Sequence, residues 1–379
     1  MQIVQEPLVR PRFVLLLSVQ FLFGLGFSSF LLLPKYLTEV HAADATLIGR
    51  VMAAGPISAV LAIPLLAPYI DRVRRQYLLS VSALVMLAAS FGFTLLGPLE
   101  PMVYVLRALQ GAAFTTFMST GATLVAELAP PSRLGQALGL LGAANLATNA
   151  IGPGLAEPLA DAWGWRPVFL LSAGCSCLAA LGVWALAEPA RAPHLPVAQA
   201  RLFEPRSLAL LYVSVVTGIA FGTVVTFYQP LALQLGMDKV GGLFIGYTLT
   251  ALGVRVLFGA WLDRFRRQRL ALSAATLYGL VVIATAGLQP GWLFPLGLLL
   301  GLAHGTLYPV LSALVLDGAD FDLRGALLTY IGGSFNIGMV VSTLGFGTLA
   351  VYIGYRGVFV VAGLLALTSV VCLARLREA

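Results

Sequence analysis

Twelve apolar runs, each about as long as a membrane-spanning helix requires (roughly 20 residues), follow one another along the chain. They cover 13–34, 47–69, 77–97, 102–125, 135–159, 166–187, 207–231, 241–262, 270–289, 292–316, 325–350 and 356–374. The breaks carry Pro, Gly or charge, as at Gly97-Pro98, Pro130-Pro131 and Gln289-Pro290-Gly291. Apolar types make up 59% of the 379 residues and charged types 10%. A soluble domain carries about 25% charged residues, so a soluble enzyme, a nucleic-acid binder and a disordered chain are excluded. The run from Phe13 to Leu33 exceeds a signal peptide's apolar region of roughly 7–15 residues and reads as a retained first helix. The expected fold is an all-α membrane protein.

The polar break 188–206 divides the runs six and six, giving bundles at 1–187 and 207–379 joined by a cytoplasmic linker. The halves repeat. Asp71-Arg72-Val73-Arg74-Arg75-Gln76 returns 192 positions later as Asp263-Arg264-Phe265-Arg266-Arg267-Gln268. Glu127 returns as Asp317, Arg133 as Arg324, Asn145 as Asn336, Gly164 as Gly354 and Arg166 as Arg356, at offsets of 190 or 191. Six spans per copy is an even number, so both copies insert in the same sense, and such parallel repeats place a binding site at their interface near the midplane. With the N-terminus inside, 16 basic residues fall in cytoplasmic segments and 5 in outer ones (Lys35, Arg50, Arg166, Lys239 and Arg356). That bias places both termini in the cytoplasm.

Ionisable groups deep in a span are costly and usually functional. Here they are Arg107, Arg255 and His304; no Asp or Glu lies mid-span. Two fixed positive charges favour an anionic or strongly hydrogen-bonding solute. His304 alone titrates near neutral pH, so it is the first candidate for proton coupling. It shares a helix face with Gly301, Gly305 and Tyr308. Polar stripes add Gln20 on the first span, Asn145 and Asn149 on the fifth, and Asn336 on the eleventh. Each either ties helices together or binds substrate. Tyr228 and Gln229 lie near the outer end of the seventh span, where they help close a gate and Tyr228 also meets substrate. Asp71, Arg72, Arg75, Asp263, Arg264 and Arg267, with Arg255, Glu127, Arg133, Asp317 and Arg324, are expected at the inner gate, where carboxylate and Arg pair across the bundle interface. Orientation by positive charge explains part of that Arg content.

The loop Asp71-Arg72-x-x-Arg75 resembles the best-known signature of the major facilitator superfamily, with Ala67 and Arg74 where that family has Gly. Arg107-Ala108-Leu109-Gln110-Gly111 resembles its fourth-helix motif, whose Arg is often linked to proton coupling. Gly139, Gly152 and Pro153 partly match its antiporter motif, from which Thr148, Ala156 and Glu157 depart. Gly242-Leu243-Phe244, Arg255, Gly259, His304-Gly305-Thr306-Leu307-Tyr308-Pro309 and Arg324-Gly325-Ala326 are similar to the bacterial sugar-efflux or arabinose-efflux-like branch.

The resemblance implies twelve helices in two bundles and a secondary transporter of a small organic solute. Alternating access, protons as coupling ion, a bacterial inner membrane and a functional monomer complete the expectation. Export is the leading direction; symport, facilitated uptake and a non-transporting sensor are the other readings. No cofactor, metal or nucleic acid is expected, because His41, His194 and His304 are scattered and Cys175, Cys177 and Cys372 lack a ligand or disulfide spacing. An intramembrane serine protease is disfavoured because Phe335 follows Gly333-Ser334 where a glycine is required.

Overall fold

The computed structural model describes residues 10–70, 73–97, 101–130, 133–186, 205–256, 265–317 and 323–376, the side chains of 63, 66–70 and 324 apart. Among the described residues the regular structure is helical throughout. Each expected run holds helix within its described residues, and among the described residues eight helical stretches are long and apolar enough to cross a membrane. Large apolar side chains such as Leu65, Leu84, Leu181, Leu249 and Val351 point outward, as lipid-facing helices require.

Contacts group the chain into two compact units: Met1–Leu31 with Leu61–His194, and Leu32–Val60 with Leu195–Ala379. The first unit holds α1 (Pro11–Ser28), the later part of α3 (Ala45–Ile70), α4 (Arg75–Phe93), α5 (Met102–Leu128), α6 (Leu134–Trp163) and α7 (Trp165–Trp184). Its core joins Leu16, Val19 and Phe23 of α1 to Met86 of α4, Phe117 of α5 and Val183 of α7. Phe23 and Phe117 stack with ring centres 3.8 Å apart.

The second unit holds α2 (Leu33–His41), the start of α3, α8 (Pro205–Gln234), α9 (Gly242–Val256), α10 (Arg267–Thr285), α11 (Leu293–Leu316), α12 (Arg324–Val341) and α13 (Gly347–Arg375). Here α9 lies directly against α11, because Cβ atoms at Gly297 and Gly301 would overlap the carbonyl oxygens of Leu243 and Tyr247. Small residues at a helix crossing let the backbones meet.

Two expected spans are not single α-helices. The first breaks at a 3₁₀ turn, Ser29–Leu32, before α2 begins. Pro34 has no N–H to continue the ladder, and the tighter turn absorbs the gap. The eleventh carries a π-turn at Ser342–Phe346 between α12 and α13. Gly164 separates α6 from α7 at φ 78° and ψ −177°, and its repeat mate Gly354 kinks α13 at φ 70° and ψ 168°. A left-handed φ at both mates, which glycine alone adopts freely, makes the internal repeat visible in the backbone.

Candidate functional site

In the first unit α5 places Arg107 one turn from Gln110, and the Arg107 guanidinium donates to the Gln110 Oε1 at 3.2 Å. Its carbon lies 5.5 Å from the centre of the Phe27 ring, within cation–π range. Arg107 is 6% exposed, its Nε has no hydrogen-bond partner, and among the described residues no carboxylate pairs with it. Gln20 is fully buried, with Nε2 donating to the Phe117 carbonyl at 3.4 Å and Oε1 unpartnered. On α6, Asn149 accepts from the Ser28 hydroxyl at 3.2 Å, and Ser28 shares a 2.9 Å bond with Thr148. The Asn145 side-chain oxygen is buried without a partner. Buried polar atoms are normally satisfied. Arg107, Gln20, Asn145 and the Gln110 amide nitrogen therefore hold hydrogen-bonding capacity that a solute could use.

In the second unit His304 stands among five aromatic rings. Phe221 stacks on it with centres 4.8 Å apart, and Tyr247, Tyr278, Tyr308 and Phe335 follow at 5.7–5.9 Å. The Tyr247 hydroxyl bonds the His304 Nδ1 at 2.8 Å, while Nε2 is buried and has no partner among the described residues. The overlap avoided at Gly301 sets α9 close enough for that bond to form. Phe221, Tyr308 and Phe335 each keep part of their surface exposed, so the enclosure has an accessible side. Arg255, in the last turn of α9, is exposed, and its charge acts on Tyr247, His304 and Tyr308. On α12 the Asn336 amide donates to the Gly332 carbonyl of its own helix at 3.0 Å.

Away from the Arg-rich loops, α2 is fastened to α8. Lys35 is 1% exposed; its Nζ donates to the Asp238 carbonyl at 2.6 Å and lies 3.7 Å from the Glu39 carboxylate. The Lys35 amide donates to the Gln229 side chain at 3.0 Å. Tyr228 is fully buried beside it and donates to the Val240 carbonyl at 3.1 Å.

At the Arg-rich end the repeat reappears as chemistry. Arg75 pairs with Glu127 at 2.5 Å, and its mate Arg267 pairs with Asp317, the mate of Glu127. Gln76 donates to the carbonyls of Val183 and Trp184 at the end of α7, and its mate Gln268 to those of Leu373 and Leu376 at the end of α13. Each of these ties closes within its own unit. Arg133 is half-buried ahead of α6, and Arg324 opens α12. Asp71, Arg72, Asp263 and Arg264 lie outside the described residues.

Sequence reasoning missed Phe221, Tyr247, Tyr278 and Phe335 around His304, and the Lys35–Asp238 fastening. A lysine directly after Pro34, inside an otherwise apolar stretch, was the available signal for the latter. Nothing in the spacing of four aromatics from four different helices could have gathered the former.

The family model described as Major Facilitator Superfamily matches residues 16–254 and 210–379. Multidrug resistance protein MdtG of Serratia proteamaculans is 29% identical over 93% of this chain and 90% of its own length. MdtG of Enterobacter lignolyticus is 27% identical over 93% and 88%. Among solved structures, the nucleoside transporter NupG superposes with a TM-score of 0.78 at 13% identity, covering 96% of this chain and 99% of its own. A D-xylose-proton symporter gives 0.77 at 16% identity, covering 96% of both chains. With that match spanning nearly its whole length, the chain belongs to the major facilitator superfamily and is an integral membrane transporter, not an enzyme.

Proposed function

We propose that this chain is a proton-coupled exporter of small organic solutes that carry aromatic groups, working by alternating access in a bacterial inner membrane with both termini cytoplasmic. The observation that carries the reading is the His304 enclosure: five rings, an accessible aromatic side and an imidazole nitrogen without a protein partner. Ring faces take planar solutes with little demand on their exact shape, which suits a broad substrate range. The multidrug names of the MdtG relatives support export of that kind.

In this reading the bundles are 1–187 and 207–379, with 188–206 as linker. His304, Tyr308, Asn336, Arg107, Asn145 and Asn149 meet the solute, while Gln20 and Tyr228 hold backbone carbonyls behind them. Arg107, without a carboxylate among the described residues, favours solutes that also bear an anionic or hydrogen-bond-accepting group. His304 and Arg107 couple proton movement to transport. The Asp71 and Asp263 loops, with Arg133, Arg255 and Arg324, work the inner gate, and Lys35 fastens the outer one. The chain works as a monomer.

The test is drug susceptibility in a bacterial host lacking its major efflux pumps. The wild-type chain should raise the inhibitory concentration of aromatic antibiotics, and Tyr308→Ala and Phe335→Ala, expressed to the same level, should lose that protection. Protection that survives both substitutions discards the aromatic site.

A further inference from the structure

A groove of about 730 Å³ opens where α8 begins and α13 ends, lined by Pro205, Arg206, Ala209, Val371, Cys372 and Arg375. Its volume lies within the range of roughly 300–1,000 Å³ typical of small-molecule sites. We propose that this groove binds one acidic phospholipid, with the headgroup phosphate on Arg206 and Arg375 and an acyl chain along Ala209, Val371 and Cys372. Basic pockets between spans near a membrane surface are suited to acidic headgroups.

The charge pattern is one-sided. Arg206 and Arg375 both line the groove, and among the described residues no carboxylate does. Among the described residues Arg206 pairs with Asp317, at 3.9 Å, and that carboxylate is already held by Arg267. The N-terminus of the long helix α8 starts at Pro205 and adds the positive end of its dipole. The opposing effect would come from the carbonyls ending α13, which repel an anion. Gln268 occupies two of these, Leu373 at 2.8 Å and Leu376 at 2.7 Å.

The lower wall is apolar and faces lipid. Val371 is 53% exposed, as a side chain in contact with acyl chains would be. The Cys372 thiol turns back to the Ala209 carbonyl at 3.6 Å, and Thr368 bonds the Tyr212 hydroxyl at 2.7 Å, so their polar atoms are satisfied within the protein. A phosphate-sized charge above and a hydrocarbon wall below match a lipid, whereas a water-soluble phosphate would leave that wall unused. None of these residues belongs to the transport site proposed above, so the two readings stand or fall separately.

The experiment titrates purified full-length protein, in detergent micelles, with fluorescent phosphatidylglycerol and with fluorescent phosphatidylcholine. Phosphatidylglycerol should saturate at a lower micellar fraction. An Arg near the surface contributes about fivefold to binding an acidic lipid, so Arg206→Gln with Arg375→Gln should weaken it by about 25-fold. Val371→Trp fills the groove from an exposed position, leaves both charges in place and should also weaken binding. Arg10→Gln, an exposed Arg just ahead of α1, should not. Equal binding of the two lipids, wild-type binding by Arg206→Gln/Arg375→Gln or by Val371→Trp, or displacement of the lipid by glycerol 3-phosphate would each overturn the proposal.

Discussion

Replacing Lys35 with methionine should loosen the outer gate. Methionine keeps most of the unbranched stem and its packing but removes the ammonium. The losses include the bond to the Asp238 carbonyl at 2.6 Å and the pair with Glu39 at 3.7 Å. A hydrogen bond from a charged donor contributes about 1.5–3 kcal/mol. Glu39 is 35% exposed, so its pair adds no more than about 1 kcal/mol after solvent screening. Burial of the ammonium works in the opposite direction, because desolvating a charge is unfavourable. With a full-strength carbonyl bond in place, the net loss should be about 2 kcal/mol, which shifts an open–closed equilibrium about 30-fold toward open. The assay places a cysteine at Leu37, fully buried on α2, in a background where Cys175, Cys177 and Cys372 are replaced. Labelling by a membrane-impermeant maleimide should accelerate in the Lys35→Met background. An unchanged or slower rate would show that ammonium burial outweighs the fastening and would refute the reasoning.

Gly301→Ala sets a methyl against the Tyr247 carbonyl and should force α9 from α11, costing about 1–3 kcal/mol of stability; a lowered thermal midpoint in detergent checks it. Arg75→Gln and Arg267→Gln break mated ion pairs of unequal burial, the Arg75 side chain being 4% exposed and that of Arg267 53%. The first should therefore destabilise clearly and the second by less than about 1 kcal/mol, read from the same melts. Arg107→Ala should abolish flux in proteoliposomes while the protein still reaches the membrane, and normal flux would remove Arg107 from the site.

The helices, their approximate ends and the doubled architecture were legible because the apolar runs are long and the breaks are charged or rich in Pro and Gly. The repeat offsets carried further than expected. They matched Arg75 with Arg267 and Glu127 with Asp317 as mates, but the expected pairing ran across the bundle interface, whereas Arg75–Glu127 and Arg267–Asp317 each close inside one unit. The break at Ser29–Leu32 left little trace, since every residue from Ser29 to Leu33 is compatible with a continuous helix and only Pro34 hints otherwise. The ring enclosure was illegible for a different reason. Helices that are apolar on every side give periodicity no polar face to define, so sequence alone does not orient Phe221, Tyr247 or Phe335. His304 stood out because it is polar. Tyr308 followed from sharing its helix face; the neighbours on other helices did not stand out, because aromatic side chains in a span look like packing.

The most direct measurement drives export of a fluorescent fluoroquinolone from proteoliposomes with an imposed pH gradient, comparing wild type with His304→Gln. Glutamine can still bond Tyr247 but cannot take up a proton. Gradient-driven transport by the wild type and its loss in His304→Gln is the expected result. Equal transport by both proteins, or transport indifferent to the gradient, would contradict a coupled aromatic site built around His304.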